Sequence, residues 1–303
     1  MATIREIRRR IKSVKNISKV TRAMQMVAAS KMRRAQEQAT ASRDYAAKAW
    51  EIFTHLSAQK GNMAQLHPLL TQRETVKNVA VIMMTSDKGL AGAYNGNLIR
   101  AVTRFMREKD QQNAALITVG RKGRDFMVRF GRNVVADFTD IPDRPSTLDI
   151  TPIARLAIDG FLSSEYDEVH LAYTDFINTL RQEPTIFTLL PIRPESAKDR
   201  LASQYSDADI STMSRAEYIY EPSPESILGT ILPRFIELQL YQALLESLAS
   251  EHSARMVAMR SATDNANELI EDLTLTYNKA RQEAITKEML DIAGGAEALA
   301  QAG

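Results

Sequence analysis

The densest gathering of small and charged residues in this chain is Ser86-Asp87-Lys88-Gly89-Leu90-Ala91-Gly92-Ala93-Tyr94-Asn95-Gly96, directly behind the apolar run Val79 to Thr85. Glycines after a strand let backbone amides approach a phosphate, so the first chemistry to weigh is nucleotide binding. The spacing argues against it. A dinucleotide fingerprint needs G-x-G-x-x-G and a P-loop needs G-x-x-x-x-G-K-[ST]. Here the glycines fall three and then four apart, with no Lys-Ser or Lys-Thr behind them. The segment reads as a structural turn that starts a helix, and Gly120-Arg121-Lys122-Gly123 reads the same way.

Other reactive residue types are equally scattered. His55, His67, His170 and His252 show no i, i+4 pairing and no metal-ligand spacing. Asp137, Asp140 and Asp143 suggest a divalent cation at first sight, but Pro142 and Pro145 make that stretch a solvated turn. Cysteine is absent, which removes disulfides, thiolate metal sites and cysteine nucleophiles together. No catalytic residue, cofactor site or metal site is therefore expected.

What stands out instead is charge. Arg and Lys occupy positions 5, 8, 9, 10, 12, 15, 19, 22, 31, 33 and 34, against only Glu6 among acids in the first 34 residues. Net charge over all 303 residues is only +2, so the basic end is balanced by an acidic remainder. A solvated helix face ordinarily mixes its signs, so this one, with Arg8, Arg9 and Arg10 at its heart, points to an acidic partner or nucleic acid. Met24, Met26, Met32, Met256 and Met259 add a soft apolar contact zone.

The elements that carry these residues are marked by proline and glycine. Residues 1–60 and 234–293 contain neither, and all ten prolines lie between Pro68 and Pro233. Two uninterrupted stretches of that length predict long helices. A single 3-4 spacing runs through Leu228, Ile231, Phe235, Leu238, Gln242, Leu245, Ala249, His252, Met256, Met259, Thr263, Ala266, Ile270, Leu273, Tyr277, Ala280 and Ala284, the seam of a coiled coil. His252 falls on it as a polar interruption that sets register. Ile4, Ile7, Ile11, Val14, Met24, Val27, Met32 and Ala35 form a looser matching stripe. Pro224 behind Ser223 starts the second helix, Pro233 bends it, and Gly294-Gly295 closes it.

Between them, apolar runs at 79–85, 115–119, 134–138, 169–173 and 186–190 alternate with helical patterns at 97–108, 122–130 and 152–164. That alternation predicts a largely parallel sheet with helices on its faces. The fold class is thus α/β: a long antiparallel coiled coil of N- and C-terminal helices (1–60 and 223–303) plus a small Rossmann-like α/β domain (61–222). Residues 193–214 read as a mobile polar loop. No window holds 18 consecutive apolar residues, so no membrane span is expected.

Both ends of the chain resemble the gamma subunit of F-type ATP synthases. The front carries Ile7-Arg8-Arg9-Arg10-Ile11-Lys12-Ser13-Val14-Lys15-Asn16 and Thr21-Arg22-Ala23-Met24-Gln25-Met26-Val27-Ala28-Ala29-Ser30-Lys31-Met32-Arg33. The back carries Ser250-Glu251-His252-Ser253-Ala254-Arg255-Met256, Ala262-Thr263-Asp264-Asn265-Ala266 and Tyr277-Asn278-Lys279-Ala280-Arg281-Gln282, then Ile285-Thr286-Lys287-Glu288. Ser86-Asp87-Lys88-Gly89-Leu90 and Tyr220-Glu221-Pro222 are similar to signatures of the family's middle domain.

The resemblance implies a non-catalytic central-stalk rotor of a proton-translocating ATP synthase, coupling c-ring rotation to the catalytic beta subunits. It implies alpha and beta subunits, epsilon and the c ring as partners, no nucleic acid, and a place peripheral to the cell membrane on its cytoplasmic side. Met24, Arg255, Gln282, Thr286 and Glu288 fall where such subunits contact beta. Tyr218, Tyr220 and Glu221 fall where they meet the c ring and epsilon. The lack of cysteine excludes thiol regulation, and the lack of a leader ahead of the motif predicts a bacterial source. Competing readings are a nucleic-acid-binding coiled coil, opposed by the near-neutral total charge, and an enzyme of the α/β domain. Helix lengths predict further that residues near 280–293 extend beyond their partner as a single helix, seated in an apolar collar formed by other subunits.

Overall fold

The computed structural model describes residues 3–41, 67–109, 114–192 and 224–301. They form α1 (Ile4–Ala41), a 3-10 turn at Pro68–Leu70, β1 (Val79–Met84), α2 (Tyr94–Glu108), β2 (Ala115–Val119), α3 (Arg121–Arg129), β3 (Val134–Phe138), α4 (Thr147–Leu162), β4 (Glu168–Phe176), β5 (Gln182–Leu190) and α5 (Pro224–Gln301). Residues 42–60 of the expected N-terminal helix, the polar stretch 193–214 and the Ser223 cap lie outside the described residues. No described helix is long and apolar enough to cross a membrane.

Two compact units emerge, 1–28 with 256–303, and 29–255, so the boundary falls inside both long helices. The larger unit holds a five-stranded sheet in the order β3-β2-β1-β4-β5. The first four strands are parallel, and β5 returns antiparallel to β4. That return is built by Asn178, whose side-chain oxygen accepts the N–H groups of Leu180 and Arg181 at 2.9 and 2.8 Å and closes the turn locally. Every residue of central β1, Val-Ala-Val-Ile-Met-Met, is buried, as a strand covered on both faces requires. Ala80, Ile82 and Met84 join the core beneath α4 and the first third of α5, with Ile153, Ala157, Leu232, Phe235 and Leu240. Val81 and Met83 join the core beneath α2, with Leu98, Val102 and Met106.

Helix α4 begins at Thr147, five residues before Pro152, where the sequence pattern starts it. Ser146 explains the difference, because its N–H donates to the Asp149 carboxylate at 2.7 Å, half of a capping box. Pro152 is then the sixth residue of the helix, which gives up the bond to the carbonyl of residue 148 and continues through it.

The smaller unit is the coiled coil alone. Thr3 and Glu6 cap α1 reciprocally: the Thr3 N–H donates to Glu6 at 2.8 Å, and the Glu6 N–H donates to the Thr3 hydroxyl at 3.3 Å. The hydroxyls of Thr21 and Thr263 meet at 2.6 Å inside the seam, and Ser18 donates to Asn267 at 2.9 Å. These pairs fix an antiparallel register that places Ile4 opposite Ala280. Residues 281–294 are accordingly all exposed, as the helix lengths predict for a single-helix end.

Three details of the expected helices differ. Val27 is 55% exposed, and the buried positions there are Thr21 and Ala28 instead, while Met32 and Ala35 of the expected stripe are buried. Ala284 is exposed, beyond the last residue of α1 in the paired register. Gly294-Gly295 does not end α5, which continues to Gln301. Each glycine costs a helix only about 1 kcal/mol, and the alanines and Glu297 that follow favour continuation. Pro233 lies inside α5, as expected of a residue within that helix.

Candidate functional site

The parallel strands deliver their C-terminal loops to one edge of the sheet, where open α/β sheets place their sites. Here two glycines, Gly120 and Gly123, serve packing, whereas Gly89 and Gly96 have room beside them. Gly120 sits at φ 90°, and a Cβ on it would lie 2.2 Å from the Thr85 carbonyl oxygen. A Cβ on Gly123 would lie 2.5 Å from Met83 and 2.8 Å from the Thr85 hydroxyl. Both glycines let α3 lie hard against the end of β1, in keeping with a structural turn rather than a phosphate cradle.

The three aspartates take separate cations. Asp137 pairs with Arg124 at 3.2 Å, Asp140 with Arg121, and Asp143 with Lys31 of α1 at 2.6 Å. No cluster suited to a metal ion exists among the described residues.

Against this edge lies the middle of α5, buried on nearly every face from Leu240 to Arg255. Glu251, His252 and Arg255 are 8, 4 and 9% exposed. Arg255 pairs with Glu251 one turn back at 2.7 Å and donates to the Gly89 carbonyl at 3.1 Å. Burial pushes the Glu251 carboxyl up, with Arg255 pulling it back in part. Burial, reinforced by the Arg255 charge, lowers His252 to about 4, so its imidazole is neutral at pH 7. The charges that act on it are those of Arg255, Asp143 and Lys31. His252 is therefore a buried member of a polar cluster, and the polar pair that pins the coil register is Thr21 with Thr263. Sequence periodicity picks out Thr263 on the unbroken seam of α5 but passes over Thr21, because the stripe of α1 is too loose to be followed through a polar residue.

The residues named from the sequence divide between the units. In the smaller, Arg8, Arg9 and Arg10 are exposed on α1, Met24 is half-buried, and Gln282, Thr286 and Glu288 are exposed beyond the paired coil. Around them Ile285, Met289, Leu290 and Ile292 are 48 to 67% exposed. In the larger, Arg255 is turned inward as described. Tyr218, Tyr220 and Glu221 lie outside the described residues.

The family model for ATP synthase matches residues 3–299. An ATP synthase gamma chain from Roseiflexus castenholzii is 50% identical over 304 residues, covering 99% of this chain and all of the other. The chain belongs to the ATP synthase gamma-chain family. Another member, from Chloroflexus aurantiacus, is 48% identical over 99% of both chains. Among solved structures, the central stalk and c-ring of the Tetrahymena thermophila mitochondrial ATP synthase contains a chain 26% identical, with TM-score 0.57, covering 80% of this chain and 99% of that one. A Euglena gracilis ATP synthase chain shares the fold at TM-score 0.64 and 21% identity, covering 98% and 94%. The family's role, that of a central-stalk rotor subunit, is the role of this chain, and its two long helices with a five-stranded α/β sheet are the family's fold.

Proposed function

We propose that this gamma chain acts without chemistry of its own, as the shaft that couples c-ring rotation to conformational change in the beta subunits of a proton-translocating enzyme. Its partners are the alpha and beta subunits of the head, epsilon and the c ring, and it lies peripheral to the membrane on the cytoplasmic side. The single observation that supports this reading best is the bare end of α5. An apolar helix stripe with no cover among the described residues belongs against another protein surface, and residues 284–292 would turn within an apolar collar of head subunits. Gln282, Thr286 and Glu288 would meet beta there. Along the coil, Met24 and the basic flank of Arg8, Arg9 and Arg10 would face acidic loops, with about 1 to 4 kcal/mol for each close pair and a marked dependence on salt. Tyr218, Tyr220 and Glu221 would meet the c ring and epsilon.

The test is made on the intact complex in inverted membrane vesicles. Replacing Gln282, Thr286 and Glu288 together by alanine should lower ATP-driven proton transport more than ATP hydrolysis. Equal loss of both would deny these residues a transmission role. A complex from which this chain is absent while hydrolysis and transport stay coupled would overturn the shaft reading itself.

A further inference from the structure

Residues 86–89 face two ways. Asp87 reaches across the ends of the neighbouring strands: one carboxylate oxygen accepts the Arg121 N–H at 3.0 Å and the other accepts the Asp140 N–H at 3.0 Å. A single side chain therefore joins the loop after β1 to those after β2 and β3. Asp140 is held there at φ 59°, a conformation that needs such a tether. The Ser86 carbonyl accepts the Lys122 N–H at 3.0 Å, and the Thr85 hydroxyl accepts the Gly123 N–H at 2.9 Å. The first amides of α3, which in an open α/β sheet can receive a phosphate, are thus all taken by groups of this chain. The anion at this helix start is the carboxylate of Asp87.

The same loop shows its carbonyls to the shaft. Arg255 donates to Gly89 at 3.1 Å and to Lys88 at 3.4 Å, while Glu251 holds the guanidinium from the helix side. Behind these contacts the loop is stiffened by Asn95, whose side-chain oxygen accepts the Ser86 N–H at 3.0 Å, and by the Ser86 hydroxyl donating to the Lys88 carbonyl at 2.7 Å. An unbroken series of short polar contacts therefore runs from α5, through 86–89, into the ends of β2 and β3.

We infer that this loop is the joint by which force on the shaft helix enters the α/β sheet, with Asp87 and Arg255 as its paired positioning residues. The inference rests on the shaft reading above, and adds that Arg255 acts through its own chain. Asp87 makes no hydrogen bond or ion pair with α5 among the described residues, and its charge is felt on that helix at Glu251, so a role for Arg255 confined to a partner subunit predicts no more than a weak, salt-dependent coupling between the two positions.

The decisive measurement is the ratio of proton transport to ATP hydrolysis in vesicles bearing the assembled enzyme, for Asp87→Ala, Arg255→Gln and the double variant. Each single change should lower the ratio about fivefold, and the double change should lower it no further than the worse single, because either one breaks the same series of contacts. Asp87→Asn, which keeps one acceptor oxygen, should recover part of the loss. A normal ratio in Asp87→Ala, or a double variant whose loss is the product of the two single losses, would overturn the joint. Should the variants fail to assemble, hydrogen exchange on the unaltered complex decides: the Arg121 and Asp140 amides should exchange slowly, and fast exchange at either refutes the inference. A wild-type complex in which hydrolysis drives no transport would count against the shaft reading instead.

Discussion

Helix α5 is one continuous element with two opposite surroundings. From Leu240 to Arg255 the chain's own sheet and loops bury almost every side of it, and even Glu251, His252 and Ser253 are inside. From residue 281 to 294 every residue is exposed, although Ile285, Met289, Leu290 and Ile292 are as apolar as those that fill the core. The contrast separates two kinds of information in one helix. The first segment is complete within the chain, so its polar residues must find partners in the chain and its stability is sensitive to them. The second is incomplete, so its residues can matter greatly to the assembled machine while mattering little to the folded subunit.

Substitutions should divide accordingly. The largest effect on the full-length chain is expected from Arg255→Ala, which leaves Glu251 buried without its cation. Stranding one member of a buried ion pair costs about 3 to 5 kcal/mol, to be read from the denaturant midpoint at constant slope. A change under about 1 kcal/mol would mean that this segment is less enclosed than its burial shows.

Acid should act on the same cluster. Because the folded state lowers His252 from 6.5 to about 4, it favours the neutral ring, so the stability this gives is present above pH 6.5 and lost as pH falls toward 4. The full loss is roughly 3 kcal/mol, since each tenfold weakening of proton affinity on folding corresponds to about 1.4 kcal/mol. Comparing the pH dependence of unfolding in the native chain and in His252→Gln checks it. The variant should lack the decline between pH 6.5 and 4, leaving the further loss as Asp140, Asp143 and Asp167, all held below the usual carboxylate range, become protonated.

Gly123→Ala tests the packing of the sheet edge. Its new methyl meets the flexible end of Met83 but also the Thr85 hydroxyl that accepts the Gly123 N–H, so a loss of about 1 to 3 kcal/mol is expected in thermal unfolding. The smallest effect belongs to the end of α5. Replacing both Met289 and Leu290 by Gln should alter subunit stability by less than about 0.5 kcal/mol while lowering coupled transport in the assembled enzyme. If subunit stability fell as far as for Gly123→Ala, the end of the helix would have intramolecular cover, and the contrast drawn above would fail.

Much of this division is legible in the sequence. The strands at 115–119 and 134–138 stand where their apolar runs put them, because turn-forming residues flank each run. The long helices follow from the absence of proline and glycine, and their unequal lengths imply the unpaired end. Helix ends are less legible. Gly294-Gly295 resembles a stop, but a stop needs a left-handed residue and a capping contact, and a glycine pair followed by alanines supplies no reason to leave the helix. The joint at 86–89 is hidden for a different reason. Asp87, Arg121, Asp140 and Arg255 come from four loops and helices that meet only once the sheet has formed, so no spacing along the chain could reveal them. The glycine pattern says only that no phosphate motif is present. Resemblance, in turn, assigns Arg255 a contact with beta without showing how firmly its own chain already holds it.

The reciprocal cap of Thr3 and Glu6 carries a consequence for the length of that bare end. By stopping α1 at Ile4, the cap also decides where the zipper stops, and so how many residues of α5 are left over. It works as a gauge. A chain with Thr3→Ala and a helix-forming leader of two turns would lay new seam residues against Ala284 and Lys287, which continue the 3-4 spacing, and turn that part of the single helix into paired coil. Helical tags fused at the front should therefore shorten the working end of the opposite helix. The same tags fused through a glycine-rich break, which leaves the cap its turn, should not.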